Sequence, residues 1–319
     1  MKTLNFEKWL PFSWHGIGFS APAEWNAGKI VGDQKSGEVR LDDAKIVRVE
    51  LEWKDARGDD RVPQIVDRYV EGLAKNAQKQ KGRLHVERNV PCPGLHLPQM
   101  RAVEYFVWEA NHRVHTLAGY SPVSDRLIFL RVMGHPDEEM KNVLPRLFNA
   151  LQDTPPDTPQ TWSLYDFTCV SPAGYNLETF ELKSGHIRLH FLQGSNIFQV
   201  DRLSLAQMIL KNRTLEDWYR DFFKKDLRHT RIEIEPMPGD AGATIAVKGS
   251  PRSRWRSLLQ PLPFWRVRPR LHLEGRVWVC PVSNKIFTVQ TFWKNHSEAP
   301  DLQTCSEGVS SLEADQGTK

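Results

Sequence analysis

Cysteine is scarce in this chain. The 319 residues hold four, Cys92, Cys169, Cys280 and Cys305, widely scattered and without a CxxC pair. A zinc knuckle needs closely spaced ligands, so none is expected. The thiols read as reduced residues of a cytoplasmic protein, and a Cys169–Cys280 disulfide stays open as the alternative if their strands are neighbours. Long apolar runs are missing too: stretches such as Leu127 to Leu130 fall far short of the roughly 20 residues of a membrane span. Met1 to Ile17 carries Glu7, Lys8 and His15 and lacks an apolar h-region, so no secretory signal is expected. No Gly-x-Ser-x-Gly elbow, Walker loop or dinucleotide-binding fingerprint occurs. Overall charge is nearly balanced, with 43 Lys and Arg against 39 Asp and Glu. What the chain does have is 11 Trp, 21 Pro, 26% charged and 40% hydrophobic residues. That excludes a wholly disordered, collagen-like or disulfide-scaffold protein.

The residues that invite a chemistry each meet a physical objection. His186 and His190 share one strand face, but four strand residues span ~13 Å, too far for both to reach one ion. With Ile187, Leu189 and Phe191 opposite, the His/Arg/His face is expected to be solvated. His112 and His115 are three apart and point to opposite faces. Asp42–Asp43 and Asp59–Asp60 fall at turns, and Glu138–Glu139 in the first turn of a helix, where negative charge suits the dipole. Adjacent surface carboxylates do not provide the two different environments of acid/base catalysis. Gly239-Asp-Ala-Gly242 reads as a hairpin turn. Cys92, in Pro91-Cys-Pro-Gly94, has no activating neighbour visible in sequence. No metal, cofactor or catalytic residue is expected.

The chain then repeats itself. Phe19-Ser-Ala-Pro-Ala-Glu-Trp25 matches the stretch from Phe167 to Tyr175, with Pro22 over Pro172 and Trp25 over Tyr175. Lys35-Ser-Gly-Glu-Val-Arg-Leu41 matches Lys183-Ser-Gly-His-Ile-Arg-Leu189, and Ser121-Pro-Val-Ser-Asp-Arg-Leu127 matches Cys280-Pro-Val-Ser-Asn-Lys-Ile286. Three blocks in one order indicate an internal duplication. The expected organisation is a first repeat at 1–152, a semi-rigid Pro-rich linker at 153–161, a second repeat at 162–296 and a disordered acidic tail at 297–319.

Each repeat alternates like a half-buried sheet. In Ile46 to Trp53 the residues Val47, Val49, Leu51 and Trp53 share a face. Val62, Ile65, Val66, Tyr69, Val70 and Leu73 form a helical stripe. Its counterpart starts at Thr214, an N-cap with Asp217 at N3, and buries Leu215, Trp218, Tyr219, Phe222 and Phe223. Strands follow at 83–89, 101–108, 113–120 and 126–133. A closing helix carries Met140, Val143, Leu144, Leu147, Phe148 and Leu151, with a kink or restart at Pro145. The expected class is α+β: two tandem domains, each an antiparallel sheet packed with helices. The opening strand Phe19 to Trp25 with its Pro-x-x-Trp, the long helix after the third strand, and the closing strand and helix Arg126 to Leu151 resemble the PsbP-like fold. That fold includes the photosystem extrinsic subunit, DcrB-type bacterial proteins and a Ran-binding transport factor. The resemblance implies an interaction module without catalytic residues. The second repeat departs from it by lacking an evident closing helix after Val289 and by an insertion.

From Val107 to Ser121 is 14 steps, whereas from Val247 to Cys280 is 33, so the second repeat holds 19 extra residues in a hairpin connection. Loops beyond roughly 12–15 residues tend to be functional or disordered. The insertion, 250–270, carries Arg252, Arg254, Arg256, Arg266, Arg268 and Arg270 among Trp255, Phe264 and Trp265, with no acid between Asp240 and Glu274. Residues 1–160 hold 22 basic and 22 acidic side chains, and residues 161–295 hold 20 and 12, so the second half is basic. Guanidinium pairs bidentately with phosphate or carboxylate, and indole stacks or enters an interface. Three readings remain open: a loop capping the second sheet, an arm for an acidic protein or anionic membrane surface, and a nucleic-acid contact. The expectation is a non-enzymatic adaptor with a protein partner, binding through those nine residues. The alternative is an enzyme or small-molecule binder with a pocket between the duplicated domains.

Overall fold

The computed structural model describes residues 2–228, 230–238, 243–251, 271–294 and 300–311. The chain divides into two units, Met1–Asp166 and Phe167–Lys319. Both are mostly antiparallel sheet with few helices, which agrees with the α+β class at that level.

The first unit runs β1 (Lys2–Thr3), β2 (Trp9–Trp14), β3 (Ile17–Pro22), β4 (Asn26–Gly32), β5 (Ser36–Asp42), β6 (Val47–Asp55) and α1 (Val62–Lys79). It continues with β7 (His85–Arg88), β8 (Arg101–Glu109), β9 (Arg113–Ser121), β10 (Arg126–Gly134), β11 (Glu138–Glu139), α2 (Leu144–Asn149), β12 (Gln152–Asp153) and β13 (Gln160–Leu164). Seven strands make one antiparallel sheet in the order β4-β5-β6-β10-β9-β8-β7. The stripe on α1 lays Val62 and Val66 against Phe106 and Ala118, flanked by Tyr69, Trp108 and Phe129. Proline cannot donate to a helix interior, and α2 accordingly starts beside Pro145 rather than at Met140. A second layer pairs β12, β3, β2 and β13 in that order. There Ser13 Oγ donates to Thr161 O (2.8 Å) and Ser163 Oγ to Pro11 O (3.0 Å). The β2–β3 turn needs glycine: Gly16 sits at φ +83°, and a Cβ there would lie 2.6 Å from Gln160 Oε1.

The Pro-rich stretch read as a linker is bonded into this unit. Asp153 pairs with Ile17, Thr154 N donates to Gly16 O (3.0 Å), and Gln160 Nε2 donates to Pro155 O (2.6 Å). Proline's stiffness leaves the flanking polar groups free to make these bonds. The unit boundary accordingly falls after Asp166 rather than at 152.

The second unit runs β14 (Phe167–Ser171), β15 (Asn176–Lys183), β16 (His186–Gln193), β17 (Asn196–Ser204), α3 (Ala206–Ile209) and α4 (Leu215–Phe222). Then come β18 (Thr230–Met237), β19 (Thr244–Pro251), β20 (His272–Cys280), β21 (Lys285–Trp293), α5 (Leu302–Glu307) and β22 (Ser310–Ser311). Its sheet order is β15-β16-β17-β21-β20-β19-β18, the order of the first sheet when strands are counted from each start. The α4 N-terminus is capped as expected, with Asp217 N donating to Thr214 Oγ1 (3.0 Å). Leu215, Trp218, Tyr219 and Phe223 are buried against Val247, Val277, Ile286 and Phe292. Phe222 is the exception, 37% exposed.

The tail expected to be disordered from Ser297 carries α5 and β22. Asp301 caps the helix by accepting from Gln303 N (3.0 Å), Cys305 and Val309 are buried, and Ser310–Ser311 pair with Thr168 and Phe167. A closing helix is therefore present in this unit, and 297–299 and 312–319 of the tail lie outside the described residues. All four cysteines are free, so Cys169 and Cys280 do not pair.

The ladders align the two sheets independently of sequence. Asp125 (φ +54°) and Asn284 (φ +51°) occupy the same hairpin turn. From there Leu130 stands over Val289, Leu51 over Val200 and Val39 over Leu189. The match of 35–41 with 183–189 is out of step with this register by two residues. The β4–β5 and β15–β16 turns absorb the difference, since Gly32 faces Gly37 while Lys183 faces His186. A slip of two keeps every side chain on its face.

Candidate functional site

The sequence places the contact surface between β19 and β20. These strands are direct neighbours, paired from Thr244 with Trp278 to Gly249 with Leu273. In the first unit the matching strands β8 and β9 are joined by only 110–112, closed by Ala110 N donating to His112 O (3.2 Å). The nine expected contact residues, Arg252, Arg254, Trp255, Arg256, Phe264, Trp265, Arg266, Arg268 and Arg270, lie outside the described residues. Beside the segment's ends, Thr230 pairs with Pro251, and His272 stacks on the buried Trp293 (6.2 Å between centroids, 22°).

The strand face read as solvated around His186 and His190 is instead half-covered by α4. Asp201, fully buried on β17, accepts from Arg188 Nε (2.6 Å), His186 Nε2 (2.8 Å), Gln199 Nε2 (2.9 Å) and Thr288 Oγ1 (3.2 Å). The Arg188 guanidinium lies over the rings of Phe222 (5.7 Å) and Phe223 (5.6 Å). A carboxylate taken out of water must be paired and hydrogen-bonded, and four donors achieve that here. His186 turns its Nε2 to Asp201 and does not converge with His190 on an ion site. Burial, then Arg188, pushes the His190 pKa down. Among the described residues no three His, Cys, Asp or Glu side chains gather around a metal position.

A second polar cluster is buried in the first unit. Arg126, 1% exposed, donates from Nη1 to His15 O (2.8 Å) and stands 3.9 Å from Asp153 Oδ1, while Ser124 Oγ bonds Asp153. Burial first, and Arg126 second, lower the His15 pKa to about 4. His15 packs edge-on to Trp162 (5.1 Å), and Trp14 meets Trp162 at 5.1 Å and 85°. His115 is also pushed to about 4, mainly by burial, and its Nδ1 meets Tyr105 Oη at 2.7 Å. Burial raises the Cys92 pKa, which keeps the thiol protonated, the reverse of what a nucleophile requires. A small pocket of about 30 Å³ is lined by Phe12, Pro22, Trp25, Leu41 and Tyr165, with Tyr165 Oη donating to Ala27 O (3.2 Å).

Sequence reasoning missed Asp201, Arg126 and Asp153. Asp201 sits at the place of an apolar residue in the strand alternation, which was the available signal. Besides Gln199 on its own strand, its partners come from β16 and β21, and no single-strand pattern reveals those.

No family model matches the chain, and no curated protein matches its sequence. Two solved structures are similar along nearly its whole length. One is the apo structure of the immunity protein TplEi of the T6SS from Pseudomonas aeruginosa, at TM-score 0.31 and 10% identity, covering 96% of this chain and 97% of that one. The other is the same immunity protein complexed with "L" peptide, at TM-score 0.31 and 9% identity, covering 97% and 100%. At that TM-score the likeness carries no argument. No helix of the described residues is long and apolar enough to cross a membrane.

Proposed function

We propose that this chain is a cytoplasmic, non-enzymatic interaction module built from two copies of one PsbP-like fold. Its contact surface is the Arg/Trp segment of the second copy, and its target is an acidic protein or an anionic surface. One observation carries the reading: two neighbouring antiparallel strands that three residues join in the first unit are joined in the second by a segment with six arginines and no acid. A scaffold that closes with three residues does not need the rest to fold, and arginine at that density suits carboxylate or phosphate partners. The common sheet order of the two units supports the two-copy reading.

The test changes Arg252, Arg254, Arg256, Arg266, Arg268 and Arg270 together to Gln. Cosedimentation with vesicles rich in anionic lipid, and pull-down of partners, are then compared with the unaltered chain. Loss of one or both supports the reading and tells surface from protein; if neither changes, the segment is not the contact. A nucleic-acid target would show itself by a steep loss of binding with salt.

A further inference from the structure

A sheet edge is a row of unpaired backbone donors and acceptors, and folded proteins shorten, bend or block such rows. Among the described residues nearly every edge follows that rule. Strands β1, β11, β12 and β22 are two residues long each, and β7 is four. The edges β4 and β15 each carry a break in register, between Ala27 and Lys29 and between Leu177 and Thr179. β18 is the exception. It ends the second unit's sheet, runs eight residues from Thr230 to Met237, and pairs with β19 without a break.

Two observations fix which backbone groups of β18 point outward. Thr230 N donates to Leu227 O (3.0 Å), off the ladder, and Pro236 has no N–H to give to one. Backbone groups of alternate residues point to opposite sides of a strand, so the even-numbered residues face away from β19. Ile232 and Ile234 therefore offer N–H and C=O outward, and nothing among the described residues bonds them. Their side chains pack on the core that holds Trp218 and Val247. The other face of the strand is exposed and charged, with Arg231, Glu233 and Glu235. Lys248 on β19 stands opposite Glu233.

Charge on an edge normally turns other strands away. Here it is self-complementary. Let two copies meet antiparallel through β18 with Ile232 on the twofold axis. Outward residues then oppose outward residues: Ile232 faces Ile232 of the second copy, and Ile234 faces its Thr230. On the charged face Arg231 falls opposite Glu233 of the second copy, and Glu233 opposite its Arg231. Each Glu233 thereby lies between a Lys248 and an Arg231. The neighbouring registers, centred on Arg231 or on Glu233, set like charges against each other. Pro236 falls outside the bonded stretch. We infer that β18 is a self-association edge, whose partner is the β18 of a second copy of this chain in the register centred on Ile232. So short a pairing makes a small interface, and the dimer is expected to be weak. The contact uses none of the arginines between β19 and β20.

The experiment follows the full chain by sedimentation velocity from dilute to concentrated solution, with amide hydrogen exchange at both ends of the range. The unaltered chain is expected to move from monomer toward dimer. The Ile232 and Ile234 amides should gain protection on concentration, while those of Arg231 and Glu233, already turned to β19, stay unchanged. Arg231→Glu sets acid against acid and is expected to weaken dimerisation at least tenfold, and Glu233→Arg to do the same with base against base. Mixed, the two variants oppose unlike charges again and are expected to associate at least tenfold more tightly than either alone. Both positions are exposed, so the core is untouched. Ile232→Pro, which removes an outward N–H and no ladder bond, is the further variant should either fail to fold, and is expected to weaken the dimer tenfold or more. A chain that stays monomeric would overturn the inference and leave the edge to a strand of another protein. A dimer indifferent to Arg231→Glu, or a mixture no tighter than its components, would overturn it as well.

Discussion

Beneath α1 in the first unit and α4 in the second, the same sheet positions carry a polar layer whose cations sit in different places. In the first, Arg131 on β10 is the central group, held by Glu50 (3.2 Å), Glu52 (2.8 Å) and the Tyr69 hydroxyl (3.2 Å). In the second, the position over Arg131 is Gln290, which accepts from Tyr219 (2.8 Å), while the position over Glu52 is Asp201 with cations around it. A tyrosine from the helix reaches the same strand position in both. The fold thus requires a satisfied polar layer there, keeps a carboxylate at the Glu52 and Asp201 position, and leaves the place of the cation free. Exposure differs as well: the Glu52 side chain is 53% exposed and that of Asp201 is 0%. A half-exposed carboxylate can turn to water if its partner is lost, and a buried one cannot.

That difference orders the expected effects. Asp201→Asn should cost about 2–4 kcal/mol, because His186 and Arg188 lose their shared anion in a half-covered layer. Arg131→Met should cost about 1–2 kcal/mol, since Glu50 and Glu52 can rehydrate. Urea unfolding followed by hydrogen exchange, resolved by unit, measures both. Equal costs would break the comparison.

Acid should separate the units next. His15 and His115 both belong to the first unit, and burial holds both pKa values near 4. The unfolded chain takes up their protons below about 6.5 while the fold does not, so stability falls as pH drops from about 6.5 to about 4. The first unit should lose up to ~3 kcal/mol per histidine across that window. Urea midpoints at pH 7, 5.5 and 4.5 test this, and a flat profile in the first unit would contradict it.

Leu205→Gly gives the smallest effect, a gain of ~1 kcal/mol, because glycine accepts φ +64° without the Cβ clash. A thermal melt showing loss instead would mean that the Leu205 side chain holds α3 in place.

Much of this architecture is written in local pattern. Alternation located β6 and β8 to β10, Thr214 announced α4, and Pro145 marked where α2 starts. What escaped depends on contacts between strands distant in sequence. Asp201 finds Arg188 and Thr288 only through the β16–β17–β21 register. Arg126 and Asp153 meet because β12 returns to pair with β3. The helix α5 was missed because its polar surroundings hid a short start-and-stop signal, the Asp301 cap with Cys305 buried and Gly308 at its end. For the candidate site, the excess length between β19 and β20 and its run of arginines were legible directly, since both are departures from the chain's own first half.

The most direct test of that site exchanges the connection itself. Residues 252–270 of the full chain are replaced by Ala110-Asn111-His112, the link that joins the matching strands of the first unit. The account predicts a second unit that keeps its hydrogen-exchange protection and thermal midpoint and loses binding to anionic vesicles or to the captured partner. A second unit that unfolds after the exchange, or one that binds as before, would contradict it.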